Sequence, residues 1–344
     1  MIAKTILILL FSLCVAGSGV LAADSAGGER QLGVQLEVKN PTVIQGEPIQ
    51  LRTTLINRSQ EATKGRLVYS WRSGGFDLNV AVGDEPKFHR LFSSEAVSLL
   101  DPTRPPTAFE YWDDRQILLG PLPAGGKTSR TDMLVFPRAR PGTYRIRAVL
   151  SDPSDPDGPR YESAPVAVRI VGLEESKDPI ASLCNQATLL ALGEAICEVH
   201  WQWFPSDKII SRASFDQWIS KVIADPRPGR MREPAMYAKF AMTWACAGPD
   251  NYGRPNEEQL KLAEQFVKEY PKSWLLPHVY AMLFDAYRKQ GKADKAEEIR
   301  RTAIKAFPDA AVLRELRNST AAKGSTPAPA AAPSKSSGAP LSGG

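Results

Sequence analysis

The side chains best suited to chemistry are few in this sequence and widely separated. The chain of 344 residues has three histidines and four cysteines. His89, His200 and His278 are too far apart for the short ligand spacings that bind zinc. No Gly-rich phosphate loop, nucleophile elbow or His-Glu-x-x-His motif occurs in the sequence. We therefore expect a protein that is not an enzyme and that uses neither a cofactor nor a metal ion.

Two acidic clusters come closest to a metal site. Asp113-Asp114 is a carboxylate pair, but adjacent side chains diverge, which favours a solvated turn. The acidic run at 152–158 suggests a calcium loop. Its spacing fails because Pro153 and Ala164 occupy the first and last ligand positions of an EF-hand. An acidic hairpin turn is the simpler interpretation.

Aromatic residues form two groups that could bind a ligand. The long connection from Phe88 to Trp112 also contains Phe109 and Tyr111, and a second group follows at 200–204. Clustered aromatic side chains on loops can form a binding face. They can equally close one end of a β-sandwich or fill a seam between domains, and both interpretations stay open. Phe109, Tyr111 and Trp112 are the candidate binding residues of this loop.

The charge balance argues against one class of partner. The chain has 43 Lys and Arg against 38 Asp and Glu, a formal net charge of +5. That excess is small and evenly spread, so the sequence does not predict a nucleic-acid binder.

The N-terminus predicts export. Lys4 is the only charge before Asp24, and an apolar run and small residues lie between them. This order is typical of a secretory signal peptide, here residues 1–23. An uncleaved anchor and a lipidated Cys14 are weaker alternatives. After cleavage no later stretch is long and apolar enough to span a membrane. We expect a periplasmic or extracellular protein.

Residues 32–172 alternate between apolar and polar side chains with the period of β-strands. The pattern predicts about eight short strands, separated by Gly- and Pro-rich turns. Short strands with one apolar face favour an antiparallel sandwich. The residues expected to face its core include Val34, Leu36, Leu51, Leu78, Val80, Thr131, Met133, Val135, Tyr144, Ile146 and Val168.

The later strands resemble bacterial immunoglobulin-like domains. The residues that carry the resemblance are Leu122-Pro123-Ala124-Gly125-Gly126, Phe136-Pro137 and Pro141-Gly142-Thr143-Tyr144-Arg145-Ile146. A Pro-Gly-x-Tyr start of the penultimate strand is common in that family. The resemblance implies an Ig-like β-sandwich fold and carries no activity.

From Asp178 onwards the apolar period becomes helical, which predicts an all-α domain over 178–316. Asp178-Pro179 looks like an N-cap followed by proline at the first helical position. We expect one helix from there to about Val199 and about six helices in total.

The last two helices resemble a tetratricopeptide repeat. The pattern Tyr280-x2-Leu283-Phe284-x2-Tyr287 is followed by Gly291 at a turn, Ala296 and Ala303 on a second helix, and a terminal Pro308. Phe284 stands where the family has a small residue. The best unit covers about 275–308, and a weaker copy precedes it at 234–270. The resemblance implies a short array of helix pairs with a concave binding surface.

That array supplies a second set of candidate binding residues. In such a unit Leu283 and Tyr287 would be framework positions. His278, Asp285, Arg288 and Lys289 would then lie on the opposite face of the helix. Arg288 and Lys289 could receive carboxylates of a partner as charge-assisted hydrogen bonds.

Three cysteines remain after cleavage, and all lie in the helical part. Cys184 and Cys197 would be about 20 Å apart on one helix, too far for a disulfide. Any bridge must therefore use Cys246, and Cys197 is the favoured partner. Three buried free thiols are an equal alternative.

The sequence as a whole predicts a β-sandwich followed by a helical repeat array. The Ala-, Pro- and Ser-rich stretch at 319–344 is expected to be a disordered tail. The most consistent function is a non-enzymatic protein-interaction or scaffolding module of the cell envelope, with a protein partner. The alternative is a protein that binds an envelope glycan or polymer through the aromatic loop of the sandwich.

Overall fold

Strands form the first part of the molecule and helices the second. A computed structural model describes residues 32–319, except 64–66, 69–74, 92, 94–106, 110–117, 120, 137–138, 152–157, 198–209, 228 and 246–256. The described strands lie within 32–171, here called the strand region, and the described helices lie within 173–319, the helical region. A mixed β and α architecture is therefore confirmed. The expected signal peptide lies outside the described residues, as does the expected tail beyond Ser319.

The strand region contains two main sheets. Its strands are β1 Leu32–Val38, β2 Thr42–Ile44, β3 Ile49–Asn57, β4 Leu67–Val68, β5 Phe76–Val82, β6 His89–Arg90, β7 Thr107–Phe109, β8 Leu118–Leu119, β9 Lys127–Val135, β10 Gly142–Leu150, β11 Tyr161–Glu162 and β12 Val166–Val171. A four-stranded antiparallel sheet has the order β1-β3-β9-β7. A six-stranded sheet has the order β2-β12-β10-β5-β6, with β11 paired to β10. β2 is parallel to β12, and the other pairs are antiparallel.

The inner faces of the two main sheets share one apolar core. Leu36 and Leu51 come from the four-stranded sheet, and Leu78, Ile146 and Val168 come from the six-stranded sheet, all in one buried cluster. Alternation along β10 follows the sequence pattern, because Arg145 and Arg147 point away from this core. The period-2 pattern thus correctly predicted the inward residues of these strands.

β9 is the exception, and its inward face was predicted wrongly. Leu134 and Phe136 enter the core between the sheets, whereas Met133 belongs to the cluster formed by the helices. Val135 also points outwards, against Gly193 of the helical region. Both faces of this strand end are buried, so it has no polar face that would mark the solvent side.

Charged residues on the inner face of β9 explain the error. Asp132 pairs opposite Leu51, and Arg130 pairs opposite Thr53, so both point between the sheets. Arg130 Nε donates to both Asp132 carboxylate oxygens at 2.9 Å, and its guanidinium lies 4.8 Å from the ring centroid of Phe76. Charged side chains can be buried when they are paired with each other. The polar residues Arg130 and Asp132 therefore made the inner face of β9 look like the face exposed to solvent.

The helical region consists of short helices in sequence order. Among the described residues these are α1 Gln186–Cys197, α2 Arg212–Ala224, α3 Arg232–Ala245, α4 Glu257–Glu269, α5 Leu276–Lys289, α6 Ala293–Ala306 and α7 Arg314–Asn318, with 3-10 turns at Leu173–Glu175, Ala181–Leu183 and Ala311–Leu313. Two helices, α5 and α6, occupy the segment in which the repeat-like pattern predicted a helix pair. Gly291 forms the turn between them with a φ of 71°.

The single helix expected from Asp178 to Val199 is broken, which corrects that prediction. A 3-10 turn ends before Cys184, whose backbone is extended, and α1 begins only at Gln186. Asn185 and Thr188 cap α1 reciprocally. Thr188 N donates to Asn185 Oδ1, and Asn185 N donates to Thr188 Oγ1, each at 2.9 Å. This capping box starts the helix at a new point, and Asp178 does not cap it.

The helical region packs on the outer face of the four-stranded sheet. Helix α1 contacts β9 and β7. Met133 and Ile44 of the strand region are both fully buried in the cluster of the helices. The chain returns to β9 after α6, where Ser129 N donates to Asp309 O at 2.7 Å. The described residues therefore form three layers, with the four-stranded sheet in the middle.

This shared core leads to a prediction about limited proteolysis. Glu174, Glu175 and Lys177 are exposed, so we expect a protease to cleave at 173–177. Because Met133 and Ile44 are buried among the helices, the two fragments should stay together in gel filtration under native conditions. They should separate in concentrated urea. Fragments that separate without denaturant, each with its own cooperative unfolding, would show that the contact between the regions contributes little.

A second prediction concerns the close approach of α1 to β9. A Cβ atom at Gly193 would lie 2.6 Å and 2.7 Å from the two Cγ atoms of Val135. Gly193→Ala should therefore lower the free energy of unfolding by about 1–3 kcal/mol. In an uncrowded helix the same change would raise it by roughly 1 kcal/mol.

The matched control removes the obstacle. In a Val135→Ala background, Gly193→Ala should lower the free energy of unfolding much less than it does in the original chain. Urea unfolding of the chain with and without Gly193→Ala, in each background, measures the two losses. Equal costs in the two backgrounds would contradict the close contact.

Candidate interaction site

A buried cluster of charges joins the two regions. Glu47, in the turn after β2, has only 2% of its side chain exposed, and Arg230 of the helical region donates to its Oε2 at 2.9 Å. Arg230 also donates from Nη1 to Thr42 O at 2.7 Å, and its backbone N–H donates to Asp178 Oδ2 at 3.0 Å. Ile44 N donates to Glu47 Oε2 at 2.7 Å. One guanidinium group thus lies between two buried carboxylates from different regions.

Burial raises the pKa of Glu47 to about 7. Removal of the carboxylate from water is the largest cause, and the negative charge of Asp178 acts in the same direction. The positive charge of Arg230 and the hydrogen bond from Ile44 N oppose the rise in pKa without cancelling it. The protonation of Glu47 therefore changes near neutral pH, at a contact between the regions.

A second carboxylate joins three segments of the chain. Glu233 accepts hydrogen bonds from Lys39 Nζ at 2.6 Å and 2.5 Å, and from Ser273 Oγ at 2.5 Å. Trp274 follows Ser273 directly, and the centroid of its ring lies 4.2 Å from the guanidinium of Arg52 on β3. These contacts are structural, because every charged group in them has a partner within the chain.

The turn between α5 and α6 carries exposed positive charge. Arg288, Lys289, Lys292 and Lys295 are exposed, and together they are called the cationic tip. The ammonium groups of Lys292 and Lys295 lie 5.9 Å and 5.2 Å from the ring centroid of Tyr287. Within the described part of the chain, Arg288, Lys292 and Lys295 form no ion pair, so their charges can meet those of a partner.

Tyr287 is held in place beneath these lysines. Its side chain is buried, and its hydroxyl donates a short hydrogen bond to Glu264 Oε1 of α4. Burial, followed by this hydrogen bond, raises the pKa of Tyr287 well above its usual value. The hydroxyl therefore stays protonated and holds α5 to α4, while the face of the ring is offered to cations.

The structure divides the site residues predicted on α5. Asp285, Arg288 and Lys289 are exposed at the end of the helix. His278 is 3% exposed, so its predicted position on an open face was wrong. The reason is that every residue of α5 from Leu276 to Phe284 is buried, since α4, α6 and the Ala311–Leu313 turn all contact this helix. A partner can reach only the last turn of α5.

The aromatic loop is largely outside what the structure describes. Only the backbone of Phe109 is described, as the last residue of β7, and Tyr111 and Trp112 lie outside the described residues. The second aromatic group at 200–204 also lies outside them. Both remain predictions.

The cysteine prediction is only partly addressed. Cys184 is a buried free thiol that donates to Ile180 O at 3.6 Å, and burial raises its pKa to about 12. Cys184 precedes α1, so the distance argument based on one long helix no longer applies. Cys246 and the side chain of Cys197 are outside the described residues, so a bridge between them remains a prediction.

Sequence reasoning missed the buried charges between the regions. Glu47 lies in Gly46-Glu47-Pro48, whose glycine and proline indicate only a turn. Its partner Arg230 is 183 positions away, and no local pattern links the two. The one available signal was an acidic residue inside a turn that directly follows apolar Val43 and Ile44.

Comparisons with known proteins give no family for this chain. No protein-family model matches it, and the search of curated proteins found no match. In the part of the chain that the structure covers, no helix combines the length and apolar character needed to cross a membrane.

Three solved structures illustrate the level of similarity. The Pseudomonas fluorescens alkylpurine DNA glycosylase AlkC is 14% identical over 41% of this chain and 30% of its own, with a TM-score of 0.23. A PapD-like domain of human CEP192 is 13% identical over 44% of this chain and 96% of its own, with a TM-score of 0.20. Salmonella alpha-2-macroglobulin is 10% identical over 84% of this chain and 22% of its own, with a TM-score of 0.23. Such low scores support no argument about fold or function.

The pKa of Glu47 leads to a prediction about stability. A carboxyl group whose pKa is raised on folding contributes stability that is fully present below its unfolded pKa, near 4.5, and is lost as pH rises through about 7. The shift corresponds to roughly 3 kcal/mol. Glu47→Gln should therefore leave stability at pH 5 nearly unchanged and raise the thermal midpoint at pH 8.

The control is Glu258→Gln, which removes an exposed carboxylate from the first turn of α4. This variant should keep the pH dependence of the original chain. Parallel curves of thermal midpoint against pH for Glu47→Gln and the original chain would show that Glu47 does not titrate in this range.

Proposed function

We propose that this chain is an exported, non-enzymatic protein-interaction or scaffolding module of the cell envelope. Its strand region would be an Ig-like β-sandwich, and its helical region a tetratricopeptide-like array. The basis for export is the signal-peptide pattern at residues 1–23. The basis for an interaction function is the surface of the helical region.

One hydrogen bond supports the Ig-like assignment. Tyr144 near the start of β10 donates from its hydroxyl to Arg140 O at 2.8 Å. A tyrosine that binds the backbone a few residues upstream of a late strand is the tyrosine corner of Ig-like domains. The Pro-Gly-x-Tyr motif supplies this residue, so the sequence resemblance and the contact agree.

Small residues support the repeat-like assignment. Ala296 and Ala303 on α6 are buried where this helix packs on α5. Alanine at these positions lets the two helices approach closely, as the repeat pattern requires. Tyr280 contributes a tilted ring contact to Phe307, with centroids 6.1 Å apart, at the end of the pair.

The cationic tip is the observation that carries the proposed function. Its cations lie at the end of a buried helix and over the ring of a buried tyrosine, so the surface beneath them is rigid. A rigid cationic surface loses little conformational entropy when it binds an acidic segment. The part of α5 before Asp285 offers no surface to a partner, because its residues from Leu276 to Phe284 are buried. We therefore place the partner at the tip, with acidic side chains opposite Arg288 and Lys289.

Site-specific photo-crosslinking in the host envelope tests this placement. A photoreactive amino acid in place of Lys289 should give an adduct of one defined mass. The same amino acid in place of Lys221, which is exposed on α2, should not give it. Arg288→Ala with Lys292→Ala should lower the adduct yield several-fold. The thermal midpoint should hardly move, because exposed substitutions change stability by less than about 0.5 kcal/mol.

Two results would contradict the proposal. Equal adducts from positions 289 and 221 would indicate non-specific proximity. No adduct at position 289, from a chain that is exported and folded, would mean that the tip contacts no protein.

A further inference from the structure

The outer face of the six-stranded sheet carries four arginines, on strands β12, β10 and β6. Arg145 and Arg147 of β10 point outwards, since Tyr144 and Ile146 enter the core. Arg169 of β12 pairs opposite Thr143, and Arg90 of β6 pairs opposite Asn79, so both share this face. Arg90, Arg145, Arg147 and Arg169 are together called the arginine face. Arg90 and Arg169 are exposed, and the described helices pack on the outer face of the other main sheet.

An aromatic ring lies on this face. The guanidinium carbons of Arg145 and Arg147 lie 5.1 Å and 4.4 Å from the ring centroid of Phe88, which is half-buried. Two cations therefore hold one ring against the sheet by cation–π attraction. The arrangement places an apolar surface next to positive charge.

Hydrogen bonds fix Arg145 and Arg147 before any ligand arrives. Arg145 Nε donates to Gly83 O at 2.9 Å, and its Nη2 makes a short bond to Glu85 O. Arg147 Nη1 donates to Glu162 Oε2 at 2.7 Å. Since these side chains are already ordered, binding to them costs little rotamer entropy.

Part of the positive charge is not neutralised within the chain. Arg147 and Arg90 pair with Glu162 and Asp77. Among the described residues, Arg145 by contrast donates to the carbonyl oxygens of Gly83 and Glu85. In the part of the molecule that the structure describes, the side chains of Arg169 and Lys87 form no ion pair.

The spacing of these cations suits a repeated anion. Arg145 pairs opposite Ala167, two positions before Arg169, so the two arginines are diagonal neighbours. Diagonal neighbours on a sheet are about 7–8 Å apart. Lys87 is exposed and directly precedes Phe88 in sequence. A ligand with anions at intervals of several ångströms would meet more than one cation at once.

We propose that the arginine face binds an acidic polysaccharide. Its uronate carboxylates contact Arg145 and Arg169, and one sugar ring stacks on Phe88. A pyranose chain offers both an apolar ring face and a carboxylate on each unit, which matches a ring flanked by guanidinium groups. An acidic protein segment would use the charges but would not need the ring. This surface is separate from the cationic tip, so the proposal does not depend on a protein partner there.

Affinity electrophoresis of the full chain in gels that contain polygalacturonate tests the proposal. Dextran serves as the uncharged polymer and poly-L-glutamate as the acidic polypeptide. We expect retardation by polygalacturonate, none by dextran and weaker retardation by polyglutamate. Raising the salt from about 50 mM to about 500 mM should weaken retardation at least tenfold, because exposed charges are screened.

Two variants and one control locate the surface. Arg169→Gln should weaken retardation by polygalacturonate about fivefold to tenfold without changing the fold, because the side chain is exposed and pairs with no described carboxylate. Phe88→Leu should remove the preference for polygalacturonate over polyglutamate. Arg301→Gln removes a positive charge from α6, on a side chain that is 71% exposed, and should change retardation less than twofold.

Several results would overturn the proposal. The first is that the original chain is not retarded by polygalacturonate. The second is that Arg301→Gln weakens retardation as much as Arg169→Gln does. The third is that polyglutamate retards the chain as strongly as polygalacturonate and that Phe88→Leu does not change this. The last result would indicate an acidic protein as the occupant. Retardation that persists in Arg169→Gln would place binding elsewhere on the molecule. Retention of binding by an Arg288→Ala and Lys289→Ala double variant separates this surface from the cationic tip.

Discussion

Met133 and Val135 place apolar side chains on the outer face of β9, and the arrangement of the rest of the chain depends on covering them. Helix α1 covers this face, and Gly193 lets its backbone approach Val135 closely. The hydrophobic gain comes from removing both faces of one strand from water. Ile44 of β2 joins the same cluster, so the helices also contact the six-stranded sheet at its edge. The four-stranded sheet consequently becomes the middle layer of three.

Charged residues then determine how the helical region is oriented on the sheet. Apolar contacts are not directional, whereas the Arg230–Glu47 and Lys39–Glu233 pairs allow few relative positions. Burying these charges costs desolvation energy that pairing only partly recovers. The raised pKa of Glu47 is a direct sign of that cost. These pairs therefore specify the geometry of the contact more than they stabilise it, and the contact becomes sensitive to pH near neutrality.

The same packing decides which surfaces remain for partners. Close packing around α5 buries His278 and leaves only the last turn of that helix open, at the cationic tip. The arginine face lies on the outer face of the other main sheet, where Arg90 and Arg169 are exposed. Both surfaces combine fixed cations with an aromatic ring, Tyr287 in one and Phe88 in the other. The two proposed ligands, a protein at the tip and a polysaccharide on the sheet, would therefore occupy separate surfaces.

Local patterns in the sequence determined the type and approximate place of most described elements. Alternation along β10 and the helical period around Tyr280 and Tyr287 depend only on nearby residues, because each element must bury one face. The roles of Tyr144 and Gly291 were likewise predictable from the sequence, since a turn or corner needs a particular residue type. What the elements pack against was decided by tertiary structure. A strand covered on both faces, such as β9, loses the alternation that identifies its inner side, and the Arg130–Asp132 pair reversed the apparent pattern. The burial of His278 and the pairing of Glu47 with Arg230 depend on residues distant in sequence, and no local spacing encodes such contacts.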